Sequence, residues 1–340
     1  ASGRRSAFKA NLRAMGGYVL AGSVAALRMI RVWEPDVIHA HFAVPTGVVA
    51  WSIWRAEGIP YVLTVQLGDV PGGVPEKTDR WFRWFYRFTP PIWRDASQVV
   101  AVSEYTRRLA LAHYPVDIQV IPNGVDTQAL QPRDLTPGQP PRLVFAGRFV
   151  PQKAPAQLIR VLAALRDLPW TCAMLGDGPL RQDIEQQIAS YGLQEKIRLT
   201  GWVTPQEVIE CFSHSDLLFM PSLSEGLPVV GVQALAMGLA IVASSAGGFV
   251  DLVEQGENGF LHAPGDHDSF VASLRALLQD RQLLGQFRAK SRALAERFDI
   301  RVIGQAYETV LSKARVGYES ASWESKPNSS PKPGDQIDES

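Results

Sequence analysis

Short apolar, β-branched runs alternate with stretches in which apolar positions recur every three or four residues, first over residues 36–122 and again over 142–262. An unbroken or alternating apolar run reads as a strand, and the longer period reads as an amphipathic helix. The first series predicts strands at DVIHAHF (36–42), PYVLTV (60–65), SQVVAV (97–102) and IQVIP (118–122), with helices over TGVVAWSIWRAEG and EYTRRLALAHY. The second predicts strands in RLVFAG, TCAMLGDG, KIRLTG, DLLFMPS, AIVASS and NGFLH, and a helix over PAQLIRVLAALRDL. Strands alternating with helices predict an α/β protein with parallel sheets. Most strands of the second series run into a Gly-, Ser- or Pro-bearing loop. Loops thus collect at the carboxyl ends of the strands, the edge where doubly wound sheets bind ligands.

Between the two series lies TQALQPRDLTPGQPP (127–141), with four prolines and no strand pattern. It reads as a domain linker. The expected organisation is a first domain over 1–126, incomplete at its start, the linker, and a second domain over 142–316. The last helix of the second domain is placed to cross back to the first. Residues 317–340, rich in Ser and Pro, are expected to be a disordered tail.

Composition narrows the classes. With 46% hydrophobic and 20% charged residues over 340 positions, the chain has material for about two globular cores. Lys plus Arg equals Asp plus Glu at 34 each, so no overall charge favours nucleic acid. Cys172 and Cys211 lack metal-ligand spacing and a disulfide pattern, which fits a reducing cytoplasm. No run reaches the ~18–20 consecutive apolar residues of a spanning helix, and ASGRRSAFK at the start lacks the order of a signal peptide.

Candidate chemistry sits on loops. Gly147 and Arg148 follow a predicted strand, and Lys153 precedes a helix whose first turn holds Pro155. Two cations aimed at a helix N-terminus suit an anion, although two solvated surface cations fit equally well. GDGPLR, with Gly176 and Gly178, lacks the third glycine of the dinucleotide fingerprint and reads first as a plain turn. His39 and His41 share one face of a strand. Without further ligand-type residues nearby they line a site or a core, and no metal is expected. In DRWFRWFYRFTPPIWR (79–94), Trp81, Trp84, Phe85 and Phe88 fall on one helical face and Arg80, Arg83 and Arg87 on another. A buried aromatic face is the favoured reading; the functional one is an interfacial helix meeting anionic lipid, or an aromatic wall for an acceptor. The run SLSEGLPVVGVQALAMG (222–238) predicts a helix with Pro228 in its first turn and Gly238 at its end, apolar on every side and hence buried. Gln233 within it then needs hydrogen-bond partners, which a hydroxylated ligand would supply.

Taken in order, DVIHAHF, TVQLGD, AVSEYT, IPNGVD, AGRFVPQK, LGDGP, LTGWV, DLLFMPSLSEGLPVVGVQALAMG, AIVASSAGG and ENGFLH resemble the family 4 glycosyltransferases from about Asp36 to Phe298. The resemblance implies a GT-B fold: two Rossmann-like doubly wound parallel-sheet domains facing a cleft. It also implies transfer of a sugar from a UDP- or GDP-sugar to a glycan or lipid-linked acceptor, with retention of anomeric configuration. No cofactor or obligatory metal is implied, and a role in polysaccharide biosynthesis is. Arg148 and Lys153 match the cations that neutralise the diphosphate leaving group. Glu225 matches a carboxylate near the donor sugar, and Gly226, Leu227 and Pro228 match the backbone that approaches sugar and phosphate. Gly147, Gly176 and Gly178 belong to the same donor side, and His41, Gln66, Asp69 and Asn123 to the acceptor side. Gln233 stands where a ribose-binding Glu is usual, Gln66 where many members have His, Asp251 where Glu is common, and Ala154 where Gly is common. Two catalytic-side departures leave open a second reading, a silent GT-B protein that binds a nucleotide sugar or a partner transferase. A cytoplasmic location, with peripheral contact at the inner face of the membrane, completes the expectation.

Overall fold

The computed structural model describes residues 12–74 and 86–324. Its first sheet is built from β1 (Ile38–His41), β2 (Tyr61–Val65), β3 (Gln98–Ala101) and β4 (Ile118–Val120), parallel and in the order β1-β2-β3-β4. The second holds β5 (Arg142–Ala146), β6 (Thr171–Leu175), β7 (Ile197–Gly201), β8 (Leu217–Met220), β9 (Ala240–Ser244) and β10 (Gly259–His262), also parallel, in the order β10-β9-β8-β5-β6-β7. The order reverses between β5 and β8, which pair at Leu143 and Val144. A crevice therefore opens at the carboxyl ends of these two strands. Strands β8 and β9 are buried at every position, as expected for strands covered by helices on both faces.

Helix Pro155–Ala163 buries Leu158, Ile159, Val161 and Leu162 against the second sheet. The long helix Ile300–Glu324 leaves the second domain and lays Ile303, Val310 and Ala314 on Val62, Val100 and Ile121 of the first. Its backbone stays helical to Glu324, so residues 317–324 are helical where the sequence pattern reads as tail; 325–340 lie outside the described residues. The chain passes between domains twice, side by side. The Val125 N–H donates to Phe298 O and the Ile300 N–H to Val125 O, both at 2.9 Å.

The proline-rich stretch 127–141 is fixed against the second domain. The buried Arg288 donates to Asp134 O, Thr136 O and Gly238 O at 3.0, 3.2 and 2.9 Å, and to Asp216 at 2.6 Å. Asp216, fully buried, also accepts from the backbone N–H, Nε and Nη2 of Arg142. Buried charges of this kind persist only when paired and hydrogen-bonded throughout.

Two regions depart from the sequence reading. Helix Leu12–Trp33 precedes the first predicted strand, and its Met15–Trp33 stretch is the described segment long and apolar enough to cross a membrane. Leu20, Val24, Met29, Val32 and Trp33 along it are exposed. Its glycines and arginines break the apolar run, which hid it from a consecutive count. In 79–94, residues 79–85, with Arg80, Trp81, Arg83, Trp84 and Phe85, lie outside the described residues. The remainder is a short 3-10 turn, Tyr86–Phe88, and a five-residue helix, Pro90–Arg94. Phe88 is 71% exposed rather than buried, while Trp93 is buried and stacks on Tyr114 at 4.0 Å. Pro90 and Pro91 start a new helix and so rotate the two faces apart.

Candidate functional site

Strand β5 ends at Ala146, and the next loop lies against the loop after β6: Gly147 N–H donates to Leu175 O and Phe149 N–H to Asp177 O, each at 2.9 Å. A Cβ on Gly176 would sit 2.0 Å from Gly147 O, and one on Gly178 2.4 Å from Phe149 O. These two glycines exist for close backbone packing. The 3-10 turn Pro151–Lys153 then leads into Ala154, in the left-handed region at φ 46°, ψ 46°. That conformation explains why glycine suits the position and why alanine pays for it.

Lys153 is thereby aimed across the crevice at the loop after β8. Its Nζ donates to both oxygens of Glu225, at 2.6 and 2.8 Å, with both side chains largely buried. Gln152 ties the same two loops, donating to Ser224 O and accepting Leu223 N–H through its own carbonyl. Arg148, five residues before Lys153 in the same loop and partly exposed, makes no ion pair with any described residue. A cation without a carboxylate, next to a cation that has one, is a place for an added anion.

Beneath the Glu225 loop runs the Gly-Gly turn after β9. A Cβ on Gly247 would lie 1.9 Å from Glu225 O, and one on Gly248 1.9 Å from Gly226 O. Pro228 caps the helix Val229–Ala236 rather than lying inside it, because its ψ of 118° is extended. Gly238, at φ 64°, follows the helix end. The helix is not buried all round: Val229, Val230 and Gln233 share an outward face, and Gln233 is only partly buried. The expectation of a fully buried amide is corrected. An apolar wall of a crevice and an apolar core have the same composition.

The first domain meets this loop from the other side. Leu67 Cβ and Gln66 Oε1 lie 3.5 and 4.0 Å from the Cβ position of Gly226. The carboxyl edges of the two sheets therefore face each other. Gln66 lies against the Gly226 end of that loop. Asp69 does not present its carboxylate to the cleft. It is buried, closes a reciprocal cap with Gln66, and also receives the backbone N–H groups of Ala43 and Val44. Burial pushes its pKa up to about 7, against the pull of those N–H groups. His39 is held by Thr64 Oγ1 at 2.8 Å and stacks near Tyr307, and burial, with His41 nearby, lowers its pKa to about 4. His41, at the exposed end of β1, stays near the cleft with its ring 4.3 Å from that of His39. Asn123, on the first domain, reaches across to the loop that carries Glu225: its Nδ2 donates to Leu227 O at 3.0 Å.

Asp251 is the residue whose role the sequence did not disclose. Its Oδ2 accepts the Glu104 N–H at 2.7 Å, across the domain boundary and at the start of helix Glu104–Leu111. Phe42, exposed with φ 71°, stands at the end of β1 and was also unremarked. Among the described residues, no three His, Cys, Asp or Glu side chains are grouped to hold a metal ion.

Two facing parallel-sheet domains, double chain crossings and a ligand crevice at the order reversal define the GT-B fold. Solved structures agree. Sucrose-phosphate synthase from Thermosynechococcus elongatus superimposes with a TM-score of 0.77 at 19% identity, over 89% of this chain and 81% of that one. HepE of Anabaena in complex with UDP-glucose does so with a TM-score of 0.72 at 24% identity, over 85% and 81%. Sequence relatives include a sulfoquinovosyl transferase of Arabidopsis thaliana, 28% identical over 83% of this chain and 57% of that protein. A 2-deoxystreptamine glucosyltransferase of Streptomyces kanamyceticus is 27% identical over 88% and 84%. The chain thus spans little more than half of the first relative. Residues 4–129 match the model of glycosyltransferase family 4, and 126–294 match that of the glycosyl transferases group 1. The chain belongs to the group 1 glycosyl transferases.

Proposed function

We propose that this protein transfers a sugar from a UDP- or GDP-sugar to a glycan or lipid-linked acceptor, with retention of anomeric configuration and without a metal. The observation that carries the reading is the pairing of Lys153 with Glu225 beside Arg148, at the order reversal of the second sheet and facing Gln66. Arg148 and Lys153 receive the diphosphate. Charge grows on that group as the glycosidic bond breaks, so their contacts strengthen in the transition state and accelerate the step. Glu225 and the Gly226–Pro228 backbone hold the sugar, and Gln233, on the outward face of its helix, contacts the ribose. As an amide, Gln233 offers one acceptor oxygen where a carboxylate offers two, which weakens ribose binding by ~1–2 kcal/mol. Gln66 does not titrate, and the departing phosphate takes the acceptor's proton.

The test is turnover of UDP-glucose, UDP-N-acetylglucosamine and GDP-mannose in chelator-treated buffer, with Arg148→Ala and Gln233→Glu beside the unaltered protein. Arg148→Ala is expected to abolish turnover and Gln233→Glu to lower the donor KM. No binding of any nucleotide sugar, with Arg148→Ala silent, defeats the proposal. Binding without turnover in either form favours the silent binder, the reading that Gln66 and Gln233 together support.

The proposed location is the cytoplasm, in peripheral contact with the inner face of the membrane. Helix Leu12–Trp33 supports that contact better than 86–94, because it exposes apolar side chains beside Arg28 and Arg31 and contains no acidic residue. Flotation with anionic vesicles, lost on Leu20→Glu with Val24→Glu, is the expected result; unchanged flotation removes the helix from the account.

A further inference from the structure

The loop carrying Glu225 is bonded to the other domain on one side and rests, on the opposite side, on a turn of its own domain that leads to a second interdomain contact. Asn123 belongs to the segment that leaves β4, two residues before the Val125 crossing. Its position is set by packing, since a Cβ on the next residue, Gly124, would lie 2.9 Å from Ile303 of the returning helix. From there its amide donates to Leu227 O, the carbonyl that precedes the capping Pro228. On the opposite side, the Gly247-Gly248 turn lies flat on Glu225 O and Gly226 O, and three residues on Asp251 accepts the Glu104 N–H of the first domain. One interdomain hydrogen bond, Asn123 to Leu227, thus reaches residues 225–228 themselves, and a second, Asp251 to Glu104, fixes the segment that follows the turn on which they rest.

We propose that Asn123 is a positioning residue, which couples the juxtaposition of the domains to the conformation of the loop that holds Glu225. A side-chain amide meets a carbonyl in a narrow range of distance and angle. Rotation of one domain against the other breaks that contact and removes the hydrogen bond that the first domain makes to the loop, leaving those from Gln152, Lys153 and Gly248 on its own side. By linkage, an anion that orders the loop favours the closed arrangement to the same degree that closure favours the anion. The inference rests on the proposed donor site, and it assigns to Asn123 a task that touches neither donor nor acceptor.

The experiment compares Asn123→Asp, which keeps the shape and removes the donor, with Asn123→Ala and with Asn123→Gln, which restores an amide. Initial rates are measured with UDP-glucose, and small-angle scattering is recorded with and without UDP. Loss of one such hydrogen bond predicts a rise of about 3- to 10-fold in donor KM for Asn123→Asp and Asn123→Ala, with acceptor KM unchanged. It also predicts a larger radius of gyration without UDP that saturating UDP reverses, and a partial return toward wild type in Asn123→Gln. Unchanged donor KM and scattering overturn the proposal, as does a change confined to acceptor KM. If Asn123→Ala does not melt cooperatively, Asp251→Ala, at the second interdomain contact, must give the same split between KM values or the coupling is refuted. If the unaltered protein neither binds UDP nor turns over UDP-glucose, the donor-site reading is at fault; scattering of Asn123→Ala without nucleotide then still decides whether Asn123 holds the domains together.

Discussion

Replacing Glu225 by Gln tests the central pair in three directions at once. In the structure, Lys153 Nζ lies 2.6 and 2.8 Å from the two carboxylate oxygens, with 16% of the lysine side chain and 6% of the glutamate accessible. Two unit charges about 3 Å apart attract by roughly 5 kcal/mol at an effective dielectric constant of 20. Desolvation offsets much of this, and the lysine can swing toward water in the cleft. The expected loss of stability is therefore about 1–3 kcal/mol, below the 3–5 typical of fully enclosed pairs. Nucleotide binding moves the other way. In wild type, a diphosphate competes with Glu225 for Lys153, so Glu225→Gln is expected to bind UDP about tenfold tighter, ~1.4 kcal/mol. Under the proposed function, in which the carboxylate also holds the donor sugar in the transition state, turnover is expected to fall by about a hundredfold or more. Urea unfolding, calorimetric titration with UDP and initial rates supply the readouts. A cycle with Lys153→Met closes the test: in that background Glu225→Gln should lose most of its effect on both stability and UDP affinity. Additive effects, or weaker UDP binding in Glu225→Gln, refute the account of a lysine shared between carboxylate and ligand.

Ala154→Gly relieves a left-handed alanine worth ~1–2 kcal/mol but adds freedom to the unfolded chain, so urea unfolding should show a net gain of about 0.5–1 kcal/mol, and destabilisation would contradict it. The pH dependence of stability should contain two opposed contributions. His39, lowered to about 4 chiefly by burial, contributes stability present above its ordinary 6.5 and lost as pH falls through 4. Asp69, raised to about 7 by burial, contributes stability present below its ordinary 3.8 and lost as pH rises through 7. Unfolding profiles from pH 4 to 7 for His39→Gln and Asp69→Asn, each subtracted from wild type, should slope in opposite senses; slopes of the same sign would show that one of the two environments is misassigned.

Elements with a strong local signature were legible from the sequence. The strands of both sheets and the loop positions of Arg148, Lys153 and Glu225 follow from apolar periodicity and loop residues, because burial on both faces leaves an unbroken β-branched run. Contacts between distant segments were not. Asn123, Asp69 and Asp251 are polar residues at the ends of elements, and nothing local distinguishes a side chain that ties two loops from one that lines a cleft. Gln233 misled for a related reason. Its helix is only eight residues long, and one outward face is lined by valines, so the sequence shows no polar stripe to mark the open side. Gly176 and Gly178 carried a ligand-type pattern, while their immediate task is to let two backbones touch. Helix Leu12–Trp33 was hidden by its own arginines and glycines.

The two chain passages between the domains lie a single hydrogen-bonded step apart, with Val125 bonded to both Phe298 and Ile300. Asp299 between them is clasped by Arg301 and Thr127, and those contacts hold its carboxyl well below the usual carboxylate range. A body fastened at two neighbouring pins keeps one easy rotation and loses the others. Rotation about the line through the two passages is then the relative movement of the domains that disturbs these backbone hydrogen bonds least.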